Sequence, residues 1–138
     1  MLRQATHTLT VATRAGLHEI TGEVVRWVAA QGMREGLLTL FCRHTSASLL
    51  INENASAAVQ RDLVAWLARV APESGAYEHD EEGADDMPAH LRAVLTGVNL
   101  SIPLVGGRLA LGTWQGVFLA EHRRRPHRRE VAMHLLGE

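Results

Sequence analysis

Four strand-like segments crowd the C-terminal third of the chain, at Val98–Val105, Arg108–Thr113, Val117–His122 and Glu130–Leu136. Connections this short join antiparallel neighbours, because a parallel return needs a crossover of about a dozen residues or more. Gly106-Gly107, between the first two segments, is a two-residue hairpin signal in which both turn positions favour positive φ. Upstream, residues 4–13 alternate His7, Leu9 and Val11 with threonines, and Leu37–Cys42 and Ala47–Ile51 read as further strands.

Three helical patterns interrupt the strands. Gly16 ends the first strand, and from His18 to Ala30 the residues Ile20, Val24, Trp27 and Val28 recur at helical spacing, with Gly32 as the stop. A second helix, capped by Asn54 or Ser56, carries Val59, Leu63, Trp66, Leu67 and Val70 on one stripe and closes at Pro72. Residues 73–86 are polar, acidic and aperiodic, which predicts a loop. Asp86-Met87-Pro88 resembles a helix start, with a carboxylate cap and a first-turn proline, and that helix ends at Gly97. The expected fold is therefore α+β: a single domain over residues 1–138, its largely antiparallel sheet wrapped around a central helix, the second. Trp27 and Trp66 are expected in the core.

Composition narrows the function. A chain of 138 residues, 46% hydrophobic and 21% charged, builds one ordinary core. A net charge of −1 argues against broad nucleic-acid binding, since phosphate neutralisation needs a basic surface. No apolar run approaches the roughly 20 residues needed to span a bilayer, and the N-terminal residues contain no apolar signal region. Cys42 is the only cysteine, so no intramolecular disulfide forms, and a cytoplasmic location is expected.

Three polar clusters stand out. Leu111-Gly112-Thr113-Trp114-Gln115-Gly116 places a hydroxyl, an indole N–H and a carboxamide in a row between glycines, followed by Glu121-His122-Arg123. His44-Thr45-Ser46 follows a strand, without the Gly-x-Ser-x-Gly elbow of a serine hydrolase. His79 to His90 holds two histidines and five carboxylates, a donor set for a divalent metal, with His90 one helical turn beyond Asp86. Arg123 and Arg129 are placed for bidentate phosphate or carboxylate recognition.

In combination, His44-Thr45-Ser46-Ala47, Asn52-Glu53-Asn54, His79-Asp80-x-x-Gly83, Asp85-Asp86-Met87-Pro88-x-His90, Leu111 to Gly116 and Glu121-His122-Arg123 resemble the YjbQ-like family, often labelled secondary thiamine-phosphate synthase. The chain departs from that pattern at Ala84, where members often carry proline, and at Pro126-His127, which replaces a glycine-containing turn. The resemblance implies a compact α+β homotrimer with clefts between subunits. It also implies a transferase activity joining hydroxymethylpyrimidine diphosphate to a thiazole phosphate with release of pyrophosphate. The site implied comprises His44, Thr45, Ser46, Asn52, Glu53, His79, Asp86, His90, Thr113, Trp114, Gln115, Glu121 and Arg129.

Expected roles follow from the chemistry of that reaction. His79, Asp86 and His90 would hold a divalent metal, Mg or Zn, or move protons; His44 and Glu121 are the alternative acid–base pair. Arg129, with Arg123, would take phosphate charge, and Trp114 would offer a face to a cationic ring. Thr45, Ser46, Asn52, Glu53, Thr113 and Gln115 would orient a phosphorylated substrate. Two other classes remain open: a metal-dependent hydrolase of a small phosphorylated or carbonyl metabolite, and a non-catalytic small-molecule-binding protein.

Overall fold

The computed structural model describes residues 1–138. The element order is β1 (Arg3–Thr13), β2 (Gly16–Glu19), α1 (Thr21–Ala30), β3 (Gly36–Cys42), β4 (Ala47–Glu53), α2 (Ala57–Val70), α3 (Asp86–Thr96), β5 (Asn99–Val105), β6 (Arg108–Leu109), β7 (Gln115–Glu121) and β8 (His127–Gly137). Every strand pair is antiparallel, in a five-stranded sheet ordered β1-β8-β3-β5-β6 and a three-stranded sheet ordered β2-β7-β4. Gly106 and Gly107 have φ of 59° and 82°, the conformation the hairpin between β5 and β6 demands.

The two sheets close on one core. Leu38, Leu40, Ile102, Leu104, Val131, Met133 and Leu135 face inward from the larger sheet, and Ala47, Leu49, Val117 and Leu119 from the smaller. Gly36 and Gly137 pair where β3 meets β8, and a Cβ at either would strike the partner strand's backbone, so only glycine allows this approach.

The helix packed into that core is α1, through Ile20, Val24 and Val28, and not α2 as the apolar stripe suggested. Leu67 is the one fully buried residue of α2, while Trp66 and Val70 are exposed. The physical reason is that the outer face of the smaller sheet offers only a small apolar patch, Leu50, Phe118 and Ala120, which Leu63 and Leu17 suffice to cover. Trp27 does pack against the core, stacked on His7 with centroids 5.9 Å apart. Residues 16–19 extend as β2 against β7 and do not start the first helix. The expected strand 108–113 shrinks to two residues, and β7 begins two residues earlier than its apolar run, at Gln115.

Candidate functional site

The antiparallel pair β4–β7 sorts the expected site residues into two groups. Ala47 lies opposite Glu121 at one end of the pair, and Glu53 lies opposite Gln115 at the other. Six residue steps separate these ends, roughly 20 Å along a strand. His44, Thr45, Ser46, Glu121 and Arg129 therefore gather at one end, whereas Asn52, Glu53, Thr113, Trp114 and Gln115 gather at the other. The shared pocket anticipated for Trp114 and His79 does not form within one chain.

At the first end, α3 begins with Asp86, whose carboxylate is nearly inaccessible. It makes no side-chain cap hydrogen bond to the helix, contrary to the expectation. Its Oδ2 instead receives His79 Nε2 at 2.7 Å and His90 Nε2 at 3.2 Å. Donor atoms of all three residues lie within 4.8 Å of one another. The opposite oxygen, Oδ1, accepts a hydrogen bond from Arg123 Nη1 at 2.8 Å, and Arg123 Nε donates to Asp85 Oδ2 at 3.0 Å. The backbone N–H of Arg124 also donates to Asp85, at 2.9 Å. Arg123 thus ties the acidic loop to the end of β7, so its guanidinium is committed to carboxylates and does not face a phosphate site.

His90 Nδ1 lies 2.9 Å from the Thr45 carbonyl, which can only accept, so this nitrogen carries the proton. Nε2, the ring nitrogen facing Asp86, is therefore the one that would ligate a metal. The hydrogen bond to Asp86, followed by nearby carboxylates, holds the His79 imidazole above its ordinary value. For Asp86 itself, burial pushes the carboxyl up, but His79, His90 and Arg123 outweigh it and the net displacement is downward.

Glu121 and Arg129 form a second, fully enclosed unit. Arg129 Nε donates to Glu121 Oε1 at 2.7 Å and Nη2 to Oε2 at 2.5 Å; Thr13 Oγ1 donates to Oε1 at 2.5 Å. Arg129 Nη2 also donates to Ser46 Oγ at 2.9 Å. Burial raises the Glu121 carboxyl, yet these bonds and the Arg123 N–H carry it below the usual range. A carboxylate held this way is no general acid, and Arg129, 5% exposed, is no docking arginine. Within one chain, both side chains are spent on one bidentate ion pair.

His44 accepts a hydrogen bond at Nε2 from the Glu130 N–H at 2.8 Å, and burial, then Arg129, lowers its pKa. Neutral His44 therefore carries its proton on Nδ1 and is a hydrogen-bond donor rather than a base. It lines an open groove of about 750 Å³ with Thr45, Phe41, Val94, Val98 and His90. His90 thus borders both the groove and the three-donor cluster.

At the far end, Trp114 is 63% exposed, and Thr113 and Gln115 are exposed beside it. Gln115 Oε1 accepts from Gly112 N–H at 2.8 Å, Asn52 Oδ1 from Glu53 N–H at 2.7 Å, and Glu53 Oε2 from Ser56 N–H at 2.9 Å. Gly116 is needed for close approach rather than bending, since a Cβ there would lie 2.7 Å from Glu19 Oε2. Two participants had no role assigned from the sequence: Asp85, quoted only as part of the Asp85-Asp86-Met87-Pro88-x-His90 motif, and the Thr45 carbonyl, which no side-chain pattern reports.

Comparison with known proteins is consistent across sequence and fold. The family model described as UPF0047 protein YjbQ-like matches residues 5–138. UPF0047 protein sll1880 of Synechocystis is 51% identical over 99% of this chain and 94% of its own length. UPF0047 protein YjbQ of Escherichia coli O157:H7 is 42% identical over the whole of both chains. A crystal structure of a YbjQ-like protein of unknown function from Sulfolobus solfataricus superposes over the whole of both chains with a TM-score of 0.93 at 26% identity. The hypothetical protein APE1520 of Aeropyrum pernix gives 0.88 at 33% identity, over 97% of this chain and 99% of its own. No helix is long and apolar enough to cross a membrane.

Proposed function

The chain belongs to the YjbQ-like UPF0047 family, and from that premise we propose that it is a divalent-metal-assisted enzyme acting on a small phosphorylated molecule, by a transfer of the thiamine-phosphate synthase type. The observation that carries this reading is the convergence of His79 Nε2, Asp86 Oδ2 and His90 Nε2, within 4.8 Å of one another.

The donor set fits a metal on two counts. The Thr45 carbonyl fixes the His90 proton on Nδ1 and frees Nε2 to ligate. Arg123 holds the remote oxygen of Asp86, leaving Oδ2 directed at the histidines. Two imidazoles with one carboxylate suit zinc better than magnesium, which prefers oxygen donors. When bound, the ion would neutralise the leaving diphosphate and act as a Lewis acid.

The chain's own residues supply the rest. Phe41, Val94 and Val98 give one side of the groove an apolar wall, against which a reactive pyrimidine-methyl cation would sit. His44 Nδ1–H orients the substrate as a donor. Thr45 sets the groove's edge, and the buried Ser46 anchors Arg129 behind it.

We propose further that the working unit is a homotrimer. The outer face of the five-stranded sheet is exposed yet uncharged across its centre, where Thr6, His134, Thr39 and Ser101 form one cross-strand row, and Leu136, Leu37 and Pro103 form the next. Burying such a face costs little desolvation. An assembly of this kind would bring Thr113, Trp114 and Gln115 of one subunit toward the His79–Asp86–His90 end of another.

The test is an assay with metal-loaded protein. Hydroxymethylpyrimidine diphosphate and thiazole phosphate together should yield thiamine phosphate, and His79→Ala and His90→Ala should abolish the product. Release of phosphate or pyrophosphate from a single substrate in water would favour the hydrolase reading, which the commitment of Arg123 and Arg129 to carboxylates also supports. Binding without turnover of any phosphorylated compound would leave the protein a small-molecule carrier.

A further inference from the structure

Among the residues lining the groove of about 750 Å³, one carries a fixed positive charge: Arg43. Arg123 is held by Asp85 and Asp86, and Arg129 by both oxygens of Glu121. The Arg43 backbone carries β3 one step further, its N–H donating to the Glu130 carbonyl at 3.2 Å, while the Glu130 N–H donates in turn to His44 Nε2. The side chain, by contrast, is loosely held. Nη1 donates to Glu130 Oε2 at 3.3 Å, longer than a charge-assisted bond normally runs, and this is the guanidinium's only hydrogen bond. The two side chains are 57% and 47% exposed, and exposed ion pairs of this kind contribute little and exchange readily.

Two further donors line the same groove. His44, accepting at Nε2, carries its proton on Nδ1, and no protein group takes it up. Asn99 pairs with Phe41 across β5 and β3, so it shares the outer face of the sheet with Arg43, two residues beyond Phe41. Its side chain is exposed, and the carboxamide makes no hydrogen bond in the protein. The charge of Glu130 is offset by Arg128, exposed two residues earlier on the same face of β8 and paired with no carboxylate. This end of the groove therefore combines an underused guanidinium, an imidazole N–H and a free amide with a net positive charge.

We propose that this end of the groove is a subsite for a phosphate monoester, Arg43 turning from Glu130 to grip two phosphate oxygens while His44 Nδ1–H and the Asn99 amide donate to the phosphate. A phosphate offers the acceptors and the charge that a guanidinium fork matches. The proposal rests on the reading of the groove as the substrate site and adds which substrate lies where. The diphosphate of one substrate sits at His79, Asp86 and His90, and the phosphate of the other at Arg43. The wall of Phe41, Val94 and Val98 suits a flat apolar body attached to that phosphate.

The experiment is a calorimetric titration of phenyl phosphate into the zinc-free protein at neutral pH and constant ionic strength, with phenol and sodium chloride as references. The expected result is saturable binding that Arg43→Gln weakens about tenfold or more, since the charge-assisted fork is lost. Glu130→Gln, which removes the competing carboxylate, should tighten it several-fold. Both side chains are exposed, so the variants fold, and their zinc affinity should match the parent's. No saturable binding, an equal response to chloride or phenol, undiminished binding by Arg43→Gln, or Glu130→Gln binding no tighter than the parent would overturn the subsite. No product is measured, and zinc binding at His79, Asp86 and His90 is read separately, so the subsite and the transferase reading fail independently.

Discussion

Arg123 Nη1 lies 2.8 Å from Asp86 Oδ1, on the far side of the carboxylate from both histidines. One side chain therefore aims the central donor of the candidate metal site while anchoring the acidic loop through Asp85. Removing it leaves His79, Asp86 and His90 in place but frees the carboxylate to turn. Arg123→Ala should lower zinc affinity about 10- to 100-fold, as loss of an orienting partner does elsewhere. Calorimetric titration of zinc into the apo-protein reads this directly, and unchanged affinity would show that Asp86 needs no orientation from that side.

The Glu121–Arg129 pair predicts a large stability effect. Arg129→Met strands a buried carboxylate and should cost about 3–5 kcal/mol in urea unfolding. Adding Glu121→Gln should recover much of the loss, because the pair's cost is mainly that of leaving one charge alone. A single variant as stable as the parent would contradict the buried geometry.

Acid sensitivity follows from His122. Burial, then Arg92, lowers its pKa from the ordinary 6.5 to about 4. The unfolded chain therefore binds the proton more readily, so the contribution is complete above pH 6.5 and is lost as the pH falls toward 4. That loss amounts to at most about 3 kcal/mol. Glu121, Asp85 and Asp86, all displaced downward, withdraw their own contributions below the usual carboxylate range. His79, displaced upward, acts with the opposite sign on the alkaline side of 6.5. Unfolding free energy measured across this range should slope, and His122→Gln should flatten the upper part.

The separation of the two polar groups along β4 and β7 predicts complementation between subunits. In the proposed homotrimer, His79→Ala and Trp114→Ala variants, each expected to be inactive, should regain part of their activity when co-refolded, because mixed assemblies would contain some sites with both residues intact. Light scattering should read the mass of three chains for the parent under this proposal, and Phe41→Glu, placing a charge on the uncharged outer sheet face, should lower it to one.

What could be read from the residues was local. The hairpin at Gly106-Gly107, the start of α3 at Asp86 and the His79–Asp86–His90 set are written in short spacings, and the structure has all three. The pairing of Arg129 with Glu121 was hidden because it joins β8 of one sheet to β7 of the other. The exposure of Trp66 was hidden too. An apolar stripe shows that a helix can bury a face, not how much apolar surface waits to receive it. Trp114 was grouped with His79 by motif alone, and only the register of β4 against β7 separates them.

The most direct test is anomalous diffraction at the zinc edge from crystals of the zinc-loaded protein. The expected result is one peak within about 2.0–2.2 Å of His79 Nε2, Asp86 Oδ2 and His90 Nε2, the usual zinc–ligand distances. It should be absent from crystals of His90→Ala. Saturating zinc with no peak at these three residues, or a peak that survives loss of His90, would contradict a metal-assisted site.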